Sequence, residues 1–285
     1  MRTRRIGDTT VSAIGLGGMP MSIEGRPDEA RSVATIQVAL DAGITLIDTA
    51  DAYHMKANEV GHNEMLIAKA LAGYGGDTSS VLVATKGGHL RPGDGSWTVD
   101  GSPEYLRKAC DASLSRLGVD AIGLYQYHRP DPKVPYAESV GALAELLDAG
   151  KIRMAGISNA NPAQIKIAND VLGGRLVSVQ NQFSPRFRSS EPELELCAEM
   201  GIAFLPWSPL GGISKAGDLG DLGVFAQIAD AHGVSPQQVC LAWLLAKSPS
   251  VVPIPGSSRP ETISDSAAAV ELELTEDELA RLNAA

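Results

Sequence analysis

The amino-acid sequence predicts an α/β fold, specifically a (β/α)8 TIM barrel, and three observations support this prediction. Short apolar runs typical of buried strands alternate with helical patterns over all 285 residues. Eight such runs are present, as the barrel requires. Polar residues end several of the runs, where a parallel barrel builds its active site. Since no linker or low-complexity tract divides the chain, we expect a single domain, residues 1–285.

The first predicted element is an N-terminal β-hairpin that precedes the barrel. Residues 4–6 and 11–13 form its strands, and Gly7 and Asp8 form the turn. Such a hairpin would close the bottom of the barrel. The eight barrel strands are predicted at 14–17, 45–48, 81–85, 122–126, 154–158, 177–180, 203–205 and 251–254.

Helices are predicted from their end signals, since proline favours a first helical turn and glycine follows a last one. These signals place helices at 27–42, from 102 to 118, at 136–149, from 161 onward and at 191–200. Extra helices are predicted towards the C-terminus, at 222–232 and 235–247, with a final helix around 275–278. The loop 211–223 after strand seven is positioned to fold over a bound cofactor.

Composition and charge argue against several classes of partner. The formal net charge is -10 and the isoelectric point about 5.0, so neither nucleic acid nor an anionic membrane is expected as a partner. No apolar run approaches the roughly 18 residues of a membrane span, and no apolar signal core follows the first residues. The three cysteines are widely spaced, as expected of reduced thiols. We therefore expect a cytoplasmic protein, and we expect its barrel to be monomeric or only weakly associating.

Four polar residues near the predicted strand ends are the candidate catalytic residues. Asp48, Lys86 and His128 each end an apolar run, and Tyr53 lies just beyond Asp48. On one rim of a barrel these groups would form an acid/base centre, because a neighbouring ammonium makes the phenol proton mobile. Each has an ordinary structural explanation by itself, for example Asp48 as a helix cap. Their common position on one rim favours catalysis.

Two alternative interpretations have less support. A doubly wound dinucleotide fold requires G-x-G-x-x-G after the first strand, and Gly15 and Gly17 begin that pattern, but Pro20 replaces the third glycine. No metal site is expected, because the spacing of the candidate histidines does not suit one helix face and no carboxylate completes a known ligand pattern. The histidines concerned are His54, His62 and His89.

Seven segments of the sequence resemble the aldo-keto reductase family. GITLIDTADAY (43–53) is similar to the family's aspartate and tyrosine signature, VATKGG (83–88) to its lysine strand, and LYQYHRPD (124–131) to its histidine strand. Four more segments resemble its cofactor-binding segments, at 156–159, 179–184, 207–211 and 254–261. Each match alone is weak, but seven in the right order, over a resemblance running from about residue 4 to the C-terminus, are specific.

The resemblance implies reduction of a small carbonyl compound, an aldehyde or ketone, with NADPH or, less often, NADH. It implies that Tyr53 is the general acid, that Lys86 paired with Asp48 lowers the pKa of that phenol, and that His128 orients the carbonyl. It also implies a set of cofactor-binding residues. These are Ser158, Asn159 and Gln180 for the nicotinamide carboxamide, Trp207 for its ring, Ser208, Leu210 and Gly212 for the pyrophosphate, and Ser257 and Arg259 for the adenosine end and its 2'-phosphate.

The substrate pocket and the cofactor preference are the less constrained parts of the prediction. His54 follows Tyr53 directly, and Trp97 lies in a glycine- and proline-containing loop, so both are predicted to border the pocket. The best-known branch of the family grips the 2'-phosphate with an arginine where this chain has Thr262. Arg259 is the available substitute, so we expect NADPH to be preferred over NADH.

The sequence leaves a second function open, that of a nicotinamide-binding regulatory or sensor subunit with negligible turnover. Potassium-channel β subunits resemble the same family and illustrate this possibility. A panel of aldehydes distinguishes the two functions, because only the enzyme consumes NADPH. The pattern of residues does not specify which carbonyl compound is the physiological substrate.

Overall fold

The computed structural model describes residues 1–212 and 223–285, so the predicted cofactor loop lies outside the described residues except at its ends. The strands are β1 (Thr3–Ile6), β2 (Thr9–Ser12), β3 (Leu16–Gly17), β4 (Leu46–Asp48), β5 (Leu82–Gly87), β6 (His89–Leu90), β7 (Thr98–Val99), β8 (Ile122–Tyr127), β9 (Ile152–Ser158), β10 (Leu176–Gln180) and β11 (Ala203–Phe204). Seven of them form a curled parallel sheet in the order β3-β4-β5-β8-β9-β10-β11.

The predicted eighth strand, residues 251–254, closes this sheet into a barrel. The N–H of Val252 donates to the carbonyl of Phe204 in β11, and on the other side the N–H of Gly15 donates to the carbonyl of Pro253, both at 2.9 Å. Proline has no N–H, so Pro253 and the proline two residues later cannot donate to a ladder. The closing segment therefore forms isolated bridges rather than a continuous strand. The predicted (β/α)8 fold is confirmed.

The N-terminal hairpin is also confirmed, with β1 and β2 paired antiparallel. Ile6 and Val11 are buried and pack with the apolar side chains of the barrel interior. The turn residue Gly7 has a φ of 57°, and a Cβ there would lie 2.9 Å from Val177 near the start of β10. The hairpin therefore closes the amino-terminal end of the barrel, opposite the rim on which the strands end.

The helices surround the sheet. They are α1 (Glu29–Asp41), α2 (His62–Ala72), α3 (Pro103–Leu117), α4 (Tyr136–Asp148), α5 (Pro162–Val171), α6 (Glu191–Met200), α7 (Gly223–His232), α8 (Pro236–Lys247), α9 (Pro260–Ala268) and α10 (Glu276–Ala284). Among the described helices, none is both long enough and apolar enough to cross a membrane.

Helix α2 has weak sequence signals, which the structure explains. Its N-cap residue is Gly61, which has a left-handed φ of 80° and no side chain that could cap the helix. The first turn buries Asn63 and Glu64 rather than apolar residues. Both are satisfied internally, since the Asn63 amide donates to the carbonyl of Gly18 at 2.8 Å and Glu64 pairs with Arg116. Buried polar residues at the start of α2 obscure its apolar periodicity.

Candidate active site

The candidate side chains gather at the carboxyl rim because their strands are parallel. Asp48, Ser158 and Gln180 are the last residues of β4, β9 and β10. Lys86 is the penultimate residue of β5, and His128 directly follows β8. Parallel strands of a barrel end on one rim, which is where such folds build active sites. The parallel arrangement of the strands therefore places residues that are far apart in the sequence next to each other.

Lys86 lies at the centre of the site and its side chain is fully buried. Its Nζ donates to Asp48 Oδ1 at 2.6 Å, to the carbonyl of Thr49 at 2.8 Å and to Tyr53 Oη at 3.1 Å. An ammonium has three donors, and all three are used. The arrangement fixes a positive charge beside a phenol oxygen, with a carboxylate as its counter-charge.

Gln180 connects this cluster to the residues expected to hold nicotinamide. Its Nε2 donates to Asp48 Oδ2 at 2.8 Å, which leaves its Oε1 as the free acceptor. The backbone carbonyl of Gln180 accepts hydrogen bonds from Ser158 Oγ at 2.7 Å and from the backbone N–H of Asn159 at 3.0 Å. Both oxygens of Asp48 are thereby satisfied, so neither depends on solvent.

Electrostatics set the resting protonation state of the site. Burial raises the pKa of Tyr53 above its usual value, although Lys86 acts in the opposite direction. Burial by itself would lower the pKa of Lys86, but Asp48 and Tyr53 raise it overall. Burial, assisted by Lys86, holds the pKa of His128 well below its usual value. At neutral pH the phenol therefore keeps its proton, the amine is charged and the imidazole is neutral.

His128 presents its ring to the phenol and to a second histidine. Its ring centroid lies 5.7 Å from that of Tyr53 and 4.9 Å from that of His89, both in edge-to-face geometry. Its Nδ1 is buried and has no hydrogen-bond partner within residues 1–212 and 223–285. A buried group without a partner is energetically costly, and the His128 ring also lines a cavity.

A cavity of about 1010 Å³ opens above these residues. Asp48, Tyr53 and His128 line it, whereas Lys86 lies behind them. Seven of the predicted cofactor residues also line it, namely Ser158, Asn159, Gln180, Trp207, Ser208, Leu210 and Gly212. The remaining two, Ser257 and Arg259, lie at the start of α9 and are not part of its described lining.

Several polar groups expected to contact a nicotinamide ring lie side by side on the cavity wall. Ser158, Asn159 and Gln180 place hydroxyl and amide groups side by side, as a carboxamide would require, and the indole Nε1 of Trp207 is buried without a partner among the described residues. Asn159 and Ser208 have positive φ values of 57° and 49°. Non-glycine residues rarely adopt this conformation, and it concentrates at ligand sites.

The outer wall of the cavity includes Trp97. His89 stacks on Trp97 with ring centroids 4.6 Å apart, and the guanidinium of Arg91 lies 4.8 Å from the Trp97 ring centre. Arg91 also pairs with Glu24 and donates to the carbonyl of His54. Arg91 therefore joins three rim segments. Its position a few residues after the end of β5 is the sequence signal for this role.

His54 occupies a different place from the one expected. Its side chain is buried, its Nδ1 lies 2.7 Å from the carbonyl of Lys56, and it is not among the residues described as lining the cavity. Its carbonyl oxygen, rather than its ring, connects it to the wall through Arg91. A direct contact between His54 and substrate stays a prediction.

Metal ligation has no candidate in the described parts of the chain. No group of three or more histidine, cysteine, aspartate or glutamate side chains there is arranged to hold an ion.

Comparisons with known proteins give matches over nearly the whole chain, in sequence and in structure. The sequence model of the Aldo/keto reductase family matches residues 13–285. The chain is 36% identical to an oxidoreductase of Schizosaccharomyces pombe, covering 99% of this chain and 89% of that protein. It is 36% identical to the 6-dehydroglucose reductase of Novosphingobium aromaticivorans, covering 92% and 87%. A solved structure of an aldo/keto reductase from Klebsiella pneumoniae in complex with NADP and acetate has a TM-score of 0.83 at 28% identity, covering 99% of this chain and 94% of that chain.

Proposed function

The chain belongs to the aldo/keto reductase family of oxidoreductases, and we propose that it reduces aldehydes or ketones to alcohols with NADPH, using Tyr53 as general acid. One observation carries this proposal. Lys86 Nζ lies within hydrogen-bond distance of both Asp48 and Tyr53, and the phenol faces the cavity. NADPH, when bound, supplies the hydride that adds to the carbonyl carbon.

The residues of the site stabilise the negative charge that hydride addition creates on the carbonyl oxygen. As the carbonyl oxygen gains negative charge, Tyr53 Oη donates its proton to it. Lys86 then stabilises the phenolate through the 3.1 Å contact, and Asp48 keeps the buried ammonium charged. His128 acts as a neutral hydrogen-bond donor to the same oxygen, since its low pKa prevents it from competing as an acid.

The proposed roles predict a flat pH profile. Because burial raises the pKa of Tyr53 above 10.0 and lowers that of His128 below 6.5, neither group changes protonation between about pH 6 and pH 9. We expect kcat/KM for a neutral aldehyde to vary less than about threefold over this range. Stopped-flow or steady-state assays in one buffer series measure this. A fall above pH 8 would mean that the attraction of Lys86 for the phenolate outweighs burial.

The proposed binding of the 2'-phosphate rests on the start of α9. Arg259 is exposed and is the N-cap residue, so its charge lies beside a helix N-terminus, which itself favours anions. Thr262 occupies the position at which the family resemblance leads us to expect an arginine. Its hydroxyl lies 2.5 Å from Ser257 Oγ and 2.9 Å from the carbonyl of Arg259. The NADP bound in the Klebsiella pneumoniae relative supports a preference for this cofactor.

Replacement of Arg259 by alanine is expected to weaken NADPH binding by roughly 10- to 100-fold and NADH binding hardly at all. A charged hydrogen bond to the phosphate contributes about 1.5–3 kcal/mol, and NADH lacks that phosphate. Titration by tryptophan fluorescence measures both dissociation constants, because Trp97 and Trp207 line the cavity. Arg107→Ala, an exposed arginine on α3, is the matched control. Equal losses for both cofactors would assign the phosphate contact elsewhere.

The substrate class and setting are further parts of the proposal. A relative is a 6-dehydroglucose reductase, which supports a small polar carbonyl substrate here. The described cysteines are all free and buried, which supports a cytoplasmic location, and we propose a monomer. NADPH consumption with an aldehyde panel tests the enzyme against the sensor alternative. Turnover above about 1 s⁻¹, the lower end of the usual enzyme range, would exclude the sensor function.

A further inference from the structure

We propose that Arg129 forms a binding site for an anionic group on the substrate, so that the preferred substrates are carbonyl compounds carrying a carboxylate. This inference rests on the proposed carbonyl reduction and adds a chemical class of substrate to it.

Every charged side chain of the described cavity wall except Arg129 has an opposite charge beside it. Asp48 pairs with Lys86 at 2.6 Å. Arg91, with a side chain only 3% exposed, pairs with Glu24. Arg129 lines the same cavity, and no carboxylate of residues 1–212 or 223–285 forms an ion pair with it. Among the described residues, the cavity wall therefore contains one positive charge without a counter-charge, in a chain whose net charge is -10.

The hydrogen-bonding capacity of Arg129 is also largely unused. One terminal nitrogen donates to Asn159 Oδ1 at a long 3.4 Å. The Nε is buried and has no partner among the described residues. A guanidinium carries five N–H donors in a planar fork that matches the two oxygens of a carboxylate. A half-buried fork without a counter-charge is a disfavoured arrangement that an anionic ligand relieves.

The position of Arg129 places this anion on the substrate itself. Arg129 directly follows His128, and both residues line the cavity with Tyr53. Its charge acts on the imidazoles of His128 and His89, contributing to the lowered pKa of each, so the guanidinium lies close to the reacting end of the cavity. The residues expected to bind the cofactor phosphates, Ser208 and Arg259 among them, are in other segments. A carboxylate at Arg129 and a carbonyl at Tyr53 can therefore belong to one small molecule.

Paired substrates test the inference. We expect 2-, 3- or 4-carboxybenzaldehyde, whichever has the fitting spacing, to be reduced with a kcat/KM about 10- to 100-fold above that of its neutral carboxamide counterpart. In Arg129→Gln this preference should fall to within about twofold, while kcat/KM for the carboxamides and the dissociation constant of NADPH change less than about threefold. Arg129→Lys should keep part of the preference, since it keeps the charge without the fork. Arg107→Gln is the surface control.

Two outcomes of this experiment would overturn the inference and leave the proposed function intact. The first is a wild-type enzyme that reduces the carboxamides as well as all three acids. The second is an Arg129→Gln variant that loses acids and carboxamides equally, which would mean that Arg129 only positions Asn159 and His128. Thermal unfolding of each variant identifies a loss that arises from misfolding, in which case the Arg129→Lys comparison decides.

A binding measurement separates failure of this inference from failure of the proposed function. If no aldehyde is reduced, carbonyl reduction is wrong, but the anion site is still tested by ligands that need no turnover. 4-Carbamoylbenzoate carries one carboxylate, which the uncharged terephthalamide replaces with a second amide. Tryptophan fluorescence should give at least about tenfold tighter binding of 4-carbamoylbenzoate than of terephthalamide, and this difference should be lost in Arg129→Gln. Equal binding of the two ligands to the wild-type protein would exclude the anion site.

Discussion

Replacement of Tyr53 by phenylalanine is expected to lower kcat for an unactivated aldehyde by about 10²–10⁴-fold, the usual contribution of a general acid. The substitution keeps the ring, which is 7% exposed and packs edge-to-face against His128, and removes only the hydroxyl that Lys86 contacts. NADPH binding should stay within about twofold, because binding groups other than the phenol hold the cofactor. Single-turnover absorbance and fluorescence titration measure the two effects separately.

A matched variant controls for the loss of a buried tyrosine hydroxyl. Tyr136 begins α4 and its hydroxyl is buried without a partner among the described residues, so Tyr136→Phe removes the same group away from the cavity. It should leave kcat unchanged within about twofold. If Tyr53→Phe retained activity within a few-fold of Tyr136→Phe, another group would have to supply the proton, and the acid assignment would be wrong.

Most of the fold and the position of the site follow from local sequence features. An apolar run that ends in a polar residue marks the carboxyl end of a strand, and parallel strands bring those ends to one rim. This reasoning places Asp48, Lys86 and His128 together, and the structure brings them together. The eighth strand illustrates the limit. Its apolar run is visible in the sequence, but Pro253 weakens its ladder to isolated bridges.

Contacts between distant segments could not be read from the sequence. The ion pair between Arg91 and Glu24 joins residues 67 positions apart in the sequence. The contact of the Arg91 guanidinium with the Trp97 ring is likewise visible only in the folded structure. The hydrogen bond from Gln180 to Asp48 likewise requires the barrel to close. The net pKa shift of Tyr53 is a further case. Residue types indicate that Lys86 attracts the phenolate, but only burial in the folded chain shows that desolvation outweighs this attraction.

Replacement of Lys86 by methionine is expected to damage both stability and activity. Methionine has a similar length but no charge, so Asp48, only 3% exposed, would keep a buried carboxylate with Gln180 as its remaining side-chain donor. Removing one partner of a buried ion pair destabilises a protein by about 3–5 kcal/mol. The phenolate of Tyr53 would also lose its stabilising charge, so kcat should fall by at least about 10²-fold. Urea unfolding and steady-state kinetics measure the two losses.

The double variant Asp48→Asn with Lys86→Met separates these two roles. With both charges removed, neither of these two positions holds an unpaired ion, and the asparagine can still accept the hydrogen bond from Gln180. We therefore expect the double variant to recover at least about 2 kcal/mol of the stability that Lys86→Met loses, because a buried pair contributes little net stability relative to a neutral replacement. Activity should not recover, since the ammonium beside Tyr53 is still absent. A double variant that regained activity together with stability would mean that Lys86 acts only by holding the fold, and that the proton donor does not depend on its charge.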